Sequence, residues 1–177
     1  GYRGYGTGRI VEDTLFAENL RGANDAGIPA GVYFYSQAIT PAEAREEARF
    51  VLELIDGYAL ELPVFIDFEY AHGKDGELTG RLYEAALSSA DAAEIINAFC
   101  EVITHAGRYS GVYSSSSMLN LHVSTSKLHD ELYIWVADYN GAVSYLGAYD
   151  IWQYTKSGEC DGVNSKSVDL NYSFVNH

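Results

Sequence analysis

Two carboxylates at the end of an apolar run are the residues of this chain best suited to chemistry. Asp67 and Glu69 close the segment at residues 62–70, which reads Leu-Pro-Val-Phe-Ile-Asp-Phe-Glu-Tyr. Side chains at positions i and i+2 of a strand point to the same face, so both acids project together from a buried element. Neighbouring carboxylates whose environments separate their pKa values serve general acid–base chemistry, above all glycoside cleavage. The alternative is that the strand ends here and both acids are solvated.

Aromatic residues near the ends of predicted strands form a second candidate set. The chain contains fifteen tyrosines and two tryptophans. Their rings offer flat apolar faces with polar tips, which suit the C–H faces of sugar rings. Any one ring can equally be core packing, but their recurrence at strand ends favours an extended binding groove. The candidate groove residues are Tyr33, Tyr35, Tyr113, Trp135, Tyr139, Trp152 and its neighbour Gln153.

Length and composition limit the class of protein. A chain of 177 residues is long enough for one domain with a substantial core, so we expect a single domain over residues 1–177. The formal net charge of −14 argues against a nucleic-acid partner and against a polybasic membrane patch. No apolar run approaches the ~20 residues that span a bilayer, so we expect no membrane insertion.

Cysteines and histidines give no sign of a metal site. The two cysteines, Cys100 and Cys160, lie far apart in the sequence, and a disulfide between them stays open if the protein is secreted. The five histidines show no His-x-x-x-His pattern, and Cys-x-x-Cys is absent from the sequence. We therefore expect neither a metal ion nor a cofactor.

Strand and helix patterns alternate along the chain. Thr40 predicts a helix start, because Pro41 follows at the first helical position and Glu43 completes a capping box. The apolar stripe after it predicts a helix that ends near Gly57. A polar loop is expected at residues 71–80, two helical stretches up to Gly107, and a short connection at residues 118–128. Strands are predicted around YRGYG, GVYFYS, LPVFIDFE, SGVYSS, LYIWVADY, YDIWQYT and SVDLNYS.

This alternation predicts an α/β fold with a mostly parallel sheet, because strand–helix–strand connections are right-handed crossovers. No glycine-rich phosphate turn accompanies it, which favours a (β/α) barrel over a dinucleotide-binding fold. Active sites of such barrels lie at the C-terminal ends of the strands. Four acidic residues are expected at those ends: Asp67, Glu69, Asp138 and Asp169.

Six sequence blocks in order carry a resemblance to a known family. The chain resembles family 25 of the glycoside hydrolases, the Chalaropsis-type lysozymes, which are N-acetylmuramidases. The resemblance covers nearly the whole chain. The blocks are AGIPAGVYFYS, FIDFEY, SGVYSSS, LYIWVADYN, YDIWQYT and SVDLNYS.

The resemblance implies a fold and a set of roles. The implied fold is an irregular, flattened barrel of the TIM-like type, with eight strands and fewer helices than the regular barrel. Glu69 would be the proton donor, and Asp67 would orient the substrate N-acetyl group or stabilise a developing charge. Asp138 and Asp169 match the acids of the family's sixth and last strands. Members also begin with an Ile-Asp-Val-Ser type of strand, which this sequence lacks, so we expect a catalytic domain that is incomplete at its N-terminus.

The resemblance also implies an activity. We expect hydrolysis of the β-1,4 bond between N-acetylmuramic acid and N-acetylglucosamine in bacterial peptidoglycan, by a monomer that is secreted or associated with the cell wall. The expected partner is the peptidoglycan glycan strand. Two alternatives stay open: a wall-binding protein or pseudoenzyme that does not cut, and another barrel glycosidase such as a chitinase-like enzyme.

Overall fold

Strands and helices alternate along the chain, as the sequence predicts. The computed structural model describes residues 1–165 and 167–175. The first half contains β1 (Tyr2–Arg3), β2 (Ile10–Val11), α1 (Phe16–Asp25), β3 (Val32–Ser36), α2 (Pro41–Leu54), β4 (Val64–Phe68), β5 (Ala71–His72) and β6 (Leu78–Thr79). The second half contains α3 (Arg81–Glu84), α4 (Ser89–His105), β7 (Ser110–Ser115), α5 (Ser116–Leu121), a 3₁₀ turn (Thr125–Lys127), β8 (Tyr133–Ala137), β9 (Ile151–Gly158) and β10 (Val168–Ser173).

One large sheet of eight strands organises the fold, in the order β10-β9-β8-β7-β4-β3-β1-β2. The pairs from β1–β3 through β8–β9 are parallel, and only the outer pairs β1–β2 and β9–β10 are antiparallel. The predicted α/β class with mostly parallel strands is therefore confirmed. The parallel pairing also puts the C-terminal ends of β3, β4, β7, β8 and β9 on one edge of the sheet, which is where barrel active sites form.

The sheet is curled, because strands distant in its order face one another. Tyr33 of β3, Phe65 of β4, Trp135 of β8 and Asn171 of β10 line one cavity of about 420 Å³. In the part of the chain that the structure describes, the edge strands β2 and β10 do not pair with each other. The arrangement is thus a curled, open sheet of the TIM-like type.

Helices α2 and α4 cover the outer face of this sheet and complete the core. The 3.6-residue apolar period of α4 buries Ile95, Ile96, Phe99 and Ile103. Burial of side chains of this size contributes roughly 1.5–3 kcal/mol each, which fixes α4 against the central strands. The strand residues in the same core are Phe34, Ile66, Val112 and Val136.

Helix α2 begins with the predicted cap. Thr40 Oγ1 accepts a hydrogen bond from the backbone N–H of Glu43 at 3.3 Å, and Pro41 occupies the first helical turn. The reciprocal bond differs from a standard capping box, because Glu43 Oε2 accepts from the N–H of Ile39 at 2.9 Å. Its other oxygen, Oε1, accepts from Arg81 at 2.7 Å, so this carboxylate joins the start of α2 to α3.

Replacing Thr40 by alanine is expected to lower the free energy of unfolding by about 1 kcal/mol, because one orphan N–H of α2 loses its acceptor. Urea denaturation followed by circular dichroism measures this change. Thr14→Ala is the matched control, since Thr14 is exposed and lies outside the helices. Equal midpoints for the two variants would show that the cap contributes nothing.

The buried side chains of Arg3 and Glu47 attach the N-terminal strand to the rest of the domain. Arg3 Nε lies 2.6 Å from Glu47 Oε1. Ser36 Oγ donates to the other Glu47 oxygen at 2.6 Å. Breaking a buried pair of this kind leaves an uncompensated charge, so β1, β3 and α2 are held together at this point.

Two segments form more secondary structure than the sequence predicts. Residues 71–80, expected as a loop, contain the β5–β6 hairpin, which turns at Gly76 with a φ of +83°. The expected short connection at residues 118–128 contains most of α5 and the 3₁₀ turn. Strands of two residues and helices of six carry too little periodicity to be recognised from sequence.

Both cysteines are free. Cys100 lies in α4 and is buried, whereas Cys160 lies in an exposed loop, so the disulfide left open by the sequence does not form. Burial raises the pKa of the Cys100 thiol to about 12, which makes it an inert core residue. Across residues 1–165 and 167–175, no helix has the length and apolarity that crossing a membrane requires.

Candidate active site

The Asp67–Glu69 pair lies at the C-terminal end of β4. Asp67 is the fourth residue of β4 and pairs in register with Tyr35 on one side and Tyr113 on the other. Glu69 follows the strand and lines a cavity of about 590 Å³ together with Asp138. The cavity opens at the edge where the parallel strands end, so the acids lie where the barrel topology predicts a site.

Burial raises the pKa values of both acids. Asp67 is 6% exposed, and its pKa lies well above the ordinary value because of burial and the charge of Glu69. The pKa of Glu69 is also raised by burial, while the nearby charges of His72 and Lys156 partly offset that rise. Two neighbouring carboxylates that repel each other hold one proton up to a higher pH than either would alone. The pair can therefore keep a proton at a pH where ordinary carboxyl groups have lost theirs.

One oxygen of Asp67 has no partner among the described residues. Asp67 Oδ1 is buried from solvent and makes no hydrogen bond. Buried polar atoms in native proteins are nearly always paired, and an exception calls for an explanation such as a catalytic role. Asp67 Oδ1 therefore has hydrogen-bonding capacity that no described group of the protein uses.

Asp138 has a different environment from the first two acids. It directly follows β8, and both oxygens are occupied: Ser144 Oγ donates at 2.6 Å and Asn140 Nδ2 at 3.0 Å. Burial raises the pKa of Asp138, but these bonds and the N–H of Ser144 outweigh it and hold the pKa below its usual range. Asp138 is therefore ionised and fixes the loop at residues 139–144 over the cavity.

Tyr113 and Tyr139 form one wall of the cavity, and Gln153 joins them. Both hydroxyls donate to Gln153 Oε1, Tyr113 at 2.8 Å and Tyr139 at 2.5 Å. Gln153 is buried in β9, so its side-chain amide holds the hydroxyl ends of the two rings in place. Tyr113 is half-buried and Tyr139 is 44% exposed, which leaves a ring face open to a ligand.

Three other predicted groove residues lie on the same inner face of the sheet but do not line the cavity of Glu69. Tyr33 and Tyr35 line a neighbouring cavity of about 520 Å³. Trp135 packs edge-on against Phe65 and Tyr113, with ring centroids 5.2 and 4.8 Å apart, and its Nε1 donates to an asparagine of β10. The structure thus places Tyr113 and Tyr139 at the cavity of Glu69, and Tyr33, Tyr35 and Trp135 at two neighbouring cavities.

Trp152 lies on the outer face of the sheet, away from the cavity. Its ring packs against the core and lies near Tyr154 and Tyr172, while its Nε1 donates to the backbone oxygen of Asp138 at 2.8 Å. The cause is strand alternation: its neighbour Gln153 points inward, so Trp152 points outward. Trp152 therefore supports the cavity wall through its hydrogen bond to Asp138, but its own side chain does not line the cavity.

Asp169 is the fourth predicted acid, and the structure leaves it exposed near the start of β10. Because β10 runs antiparallel to β9, this start lies at the same edge as the C-terminal ends of the parallel strands. Burial raises the pKa of Tyr33, and the charges of Asp67 and Asp169 raise it further. Asp169 thus contributes charge to the inner face without lining the cavity of Glu69.

Sequence reasoning missed two basic side chains that line the cavity. His72 follows Glu69 by three residues, and Lys156 lies in β9 three residues after Gln153. Both act on the pKa of Glu69. The only signal available in the sequence was their position just after a predicted strand end. Within residues 1–165 and 167–175, no cluster of three or more His, Cys, Asp or Glu side chains is arranged to hold a metal ion.

Replacing Tyr139 by alanine is expected to weaken binding of the glycan ligand that the family resemblance implies by about 1 kcal/mol, because an exposed ring face of the cavity is lost. Trp152→Ala is the contrasting variant: it should lower the free energy of unfolding by about 2 kcal/mol while changing affinity less. Titration calorimetry and urea denaturation measure the two effects. Equal losses of affinity would show that the inner and outer faces are not distinct in function.

Known proteins share this fold. The chain is 25% identical to the autolytic lysozyme of Clostridium acetobutylicum over 168 residues, which are 92% of this chain and 45% of the relative. The modular autolysin LytC of Streptococcus pneumoniae, solved with a synthetic peptidoglycan ligand, is 26% identical with a TM-score of 0.77; the match covers 96% of this chain and 38% of LytC. This chain therefore spans less than half the length of either protein.

A further solved structure supports the fold alone. The family 25 glycosyl hydrolase of Bacillus anthracis has a TM-score of 0.73 at 20% identity, over 99% of this chain and 76% of that one. The family pattern described as glycosyl hydrolases family 25 matches residues 5–163. That match covers most of the chain and includes Asp67, Glu69 and Asp138. The resemblance found in the sequence is confirmed, and the chain belongs to family 25 of the glycosyl hydrolases.

Proposed function

We propose that this domain hydrolyses the β-1,4 bond between N-acetylmuramic acid and N-acetylglucosamine in bacterial peptidoglycan. The observation that carries the proposal is the Asp67–Glu69 pair, buried at the carboxyl edge of the sheet with raised pKa values. Family membership supports a glycosidic bond as the target. The lysozyme and autolysin that the chain resembles support peptidoglycan as its source.

Glu69 is the proton donor in this proposal. It lines the open cavity, whereas Asp67 lies deeper in the strand. Because its pKa is raised, the Glu69 carboxyl holds a proton at a pH where an ordinary glutamate has lost it. The proton passes to the glycosidic oxygen as the bond from that oxygen to C1 breaks, which stabilises the leaving group.

Asp67 assists through the substrate's own acetamido group. The acetamido oxygen attacks C1 and closes a five-membered ring, while the N–H donates to the unpaired Oδ1 of Asp67. Water then gives a proton to the Glu69 carboxylate and attacks C1, which reopens the ring and restores the acid. This substrate-assisted route is one of the exceptions to the two-carboxylate mechanism, and it retains the configuration at C1.

The proposal also includes an oligomeric state and a site of action in the organism. The acting form in this proposal is a monomer, because Glu69 and the cavity that it lines are built within a single chain. Action at the cell wall, outside the cytoplasm, follows from the substrate. The net charge of −14 supports neither a nucleic acid nor an anionic membrane surface as a partner.

The test uses purified bacterial walls as substrate. Falling turbidity, with new reducing ends that borohydride converts to muramitol, is the expected result. New ends that yield glucosaminitol would overturn the assigned bond. Binding to walls without new reducing ends would identify a wall-binding protein, and faster release of sugar from chitin than from walls would identify a chitinase-like enzyme.

A further inference from the structure

An irregularity between β9 and β10 turns Lys156 toward the cavity. Gln153 pairs with Asn171 and Thr155 with Leu170, so β9 advances by two residues where β10 advances by one; a second shift follows Thr155, before Gly158 pairs with Val168. The additional residue in β9 is a bulge, and a bulge reverses the inward–outward alternation of the residues that follow it. Without it, Lys156 would share the outer face of the sheet with Trp152.

The side chain of Lys156 reaches the cavity wall formed by Tyr139. It lines the 590 Å³ cavity, and its Nζ lies 5.6 Å from the centroid of the Tyr139 ring. Tyr139 is in turn fixed by Gln153. A cation over an aromatic face is held in position without being neutralised, since the ring supplies no carboxylate.

The charge of Lys156 is not paired with a carboxylate of the described residues. Among the described residues it forms no salt bridge, and it is exposed to solvent. The other acidic and basic side chains that line the cavity are His72, Glu69 and the ionised Asp138. In a chain of net charge −14, an acidic cavity repels anionic ligands unless a cation meets them. A neutral sugar ring does not require such a cation.

We propose that Lys156 is a specificity-determining residue that binds a carboxylate carried by the muramoyl sugar. Two sources present this chemistry: the free carboxylate of the lactyl ether in peptide-free glycan, and the carboxylates of the attached peptide. The inference rests on the proposed function, because it names the substituent that the same cavity selects. It also provides a physical means of separating peptidoglycan from chitin, whose sugars lack an acid.

The test compares Lys156→Gln with wild-type protein on three glycan oligomers: muramoyl chains with free lactyl carboxylates, the same chains with those carboxylates converted to amides, and chains that carry stem peptides. The expected result is a KM on the order of fivefold higher for a carboxylate-bearing substrate, the size of a partly exposed ion pair. The KM of the amide substrate should change less than twofold, and any change in kcat that Lys156 causes through the pKa of Glu69 should be the same on all three substrates. Lys156→Arg should restore the lower KM, and Lys127→Gln, an exposed lysine outside the cavity, is the matched control.

The outcomes separate selectivity from a purely electrostatic effect on Glu69. A rise in KM on the lactyl acid or on the peptide-bearing chain supports the proposal and identifies which carboxylate is bound. Equal changes in KM on the charged and neutral substrates, or no change in KM on any substrate, overturn the proposal. If no substrate is hydrolysed, the proposed function fails; the dissociation constants of the same oligomers, measured by calorimetry with and without Lys156→Gln, then decide the inference separately.

Discussion

Glu69→Gln is expected to lower kcat on bacterial walls by about 10³-fold, the contribution typical of a positioned general acid. Glutamine keeps the shape of the side chain and loses only the proton that the leaving oxygen requires. Since Glu69 lines the cavity and makes no hydrogen bond through its carboxyl group among the described residues, the fold should be unchanged. Release of reducing ends per enzyme molecule measures the effect.

Glu131→Gln is the matched control for this experiment, because Glu131 is exposed and lies outside the cavity. It makes the same chemical change and should keep wild-type turnover. Circular dichroism and the urea midpoint establish that both variants fold. A Glu69→Gln protein that clears walls within a few-fold of wild type would remove Glu69 from the proton-donor role.

Local structure was predictable where one short stretch of sequence contains the whole cause. Thr40, Pro41 and Glu43 specify the start of α2 among themselves, and the structure contains the expected cap. Asp67 and Glu69 share a face because they lie two residues apart in one strand, which requires no knowledge of the remaining chain. The mostly parallel sheet followed from the alternation of strands and helices, without any knowledge of the strand order.

The remaining features of the site depend on contacts between distant segments. Asp138 repeats the strand-end pattern of Asp67, yet Ser144 and Asn140 occupy its oxygens and keep it ionised. Asp67 and Asp138 have the same sequence pattern, and the loop after Asp138 is what makes their pKa values differ. An acid that shares its proton and an acid that anchors a loop therefore look alike in sequence.

The sequence also does not reveal which side chains of β9 point toward the cavity, for a different reason. Strict alternation places Trp152 outward and Gln153 inward, although an aromatic residue was the more attractive sugar-binding candidate. The bulge after Gln153 then reverses the alternation and brings Lys156 inward. A bulge depends on how two strands pair, so neither strand's sequence reveals it alone.

Asp67→Asn is expected to lower kcat by about 10²-fold and to move the alkaline limb of the pH–rate profile to lower pH. Turnover depends on the protonated acid, so activity falls as pH rises through the upper pKa of the pair. The charge of Glu69 raises the pKa of Asp67, and the repulsion is reciprocal, so an ionised Asp67 delays loss of the proton from Glu69. Asparagine carries no charge and removes that delay. Steady-state kcat measured from acid to alkaline pH provides the profile.

The pH dependence of the free energy of unfolding tests the coupling between Asp67 and Glu69 independently. A carboxyl group whose pKa is raised by folding contributes stability that is fully present below its unfolded pKa and is lost as pH rises through its folded pKa. Asp67 is such a group, because burial and Glu69 both raise its pKa. The wild-type free energy of unfolding should therefore decline as pH rises from the ordinary aspartate range, and the decline should be smaller in Asp67→Asn. Urea denaturation at several pH values measures both slopes. Parallel slopes, together with an unshifted alkaline limb, would show that Asp67 and Glu69 titrate independently and would leave Asp67 without an electrostatic role in the reaction.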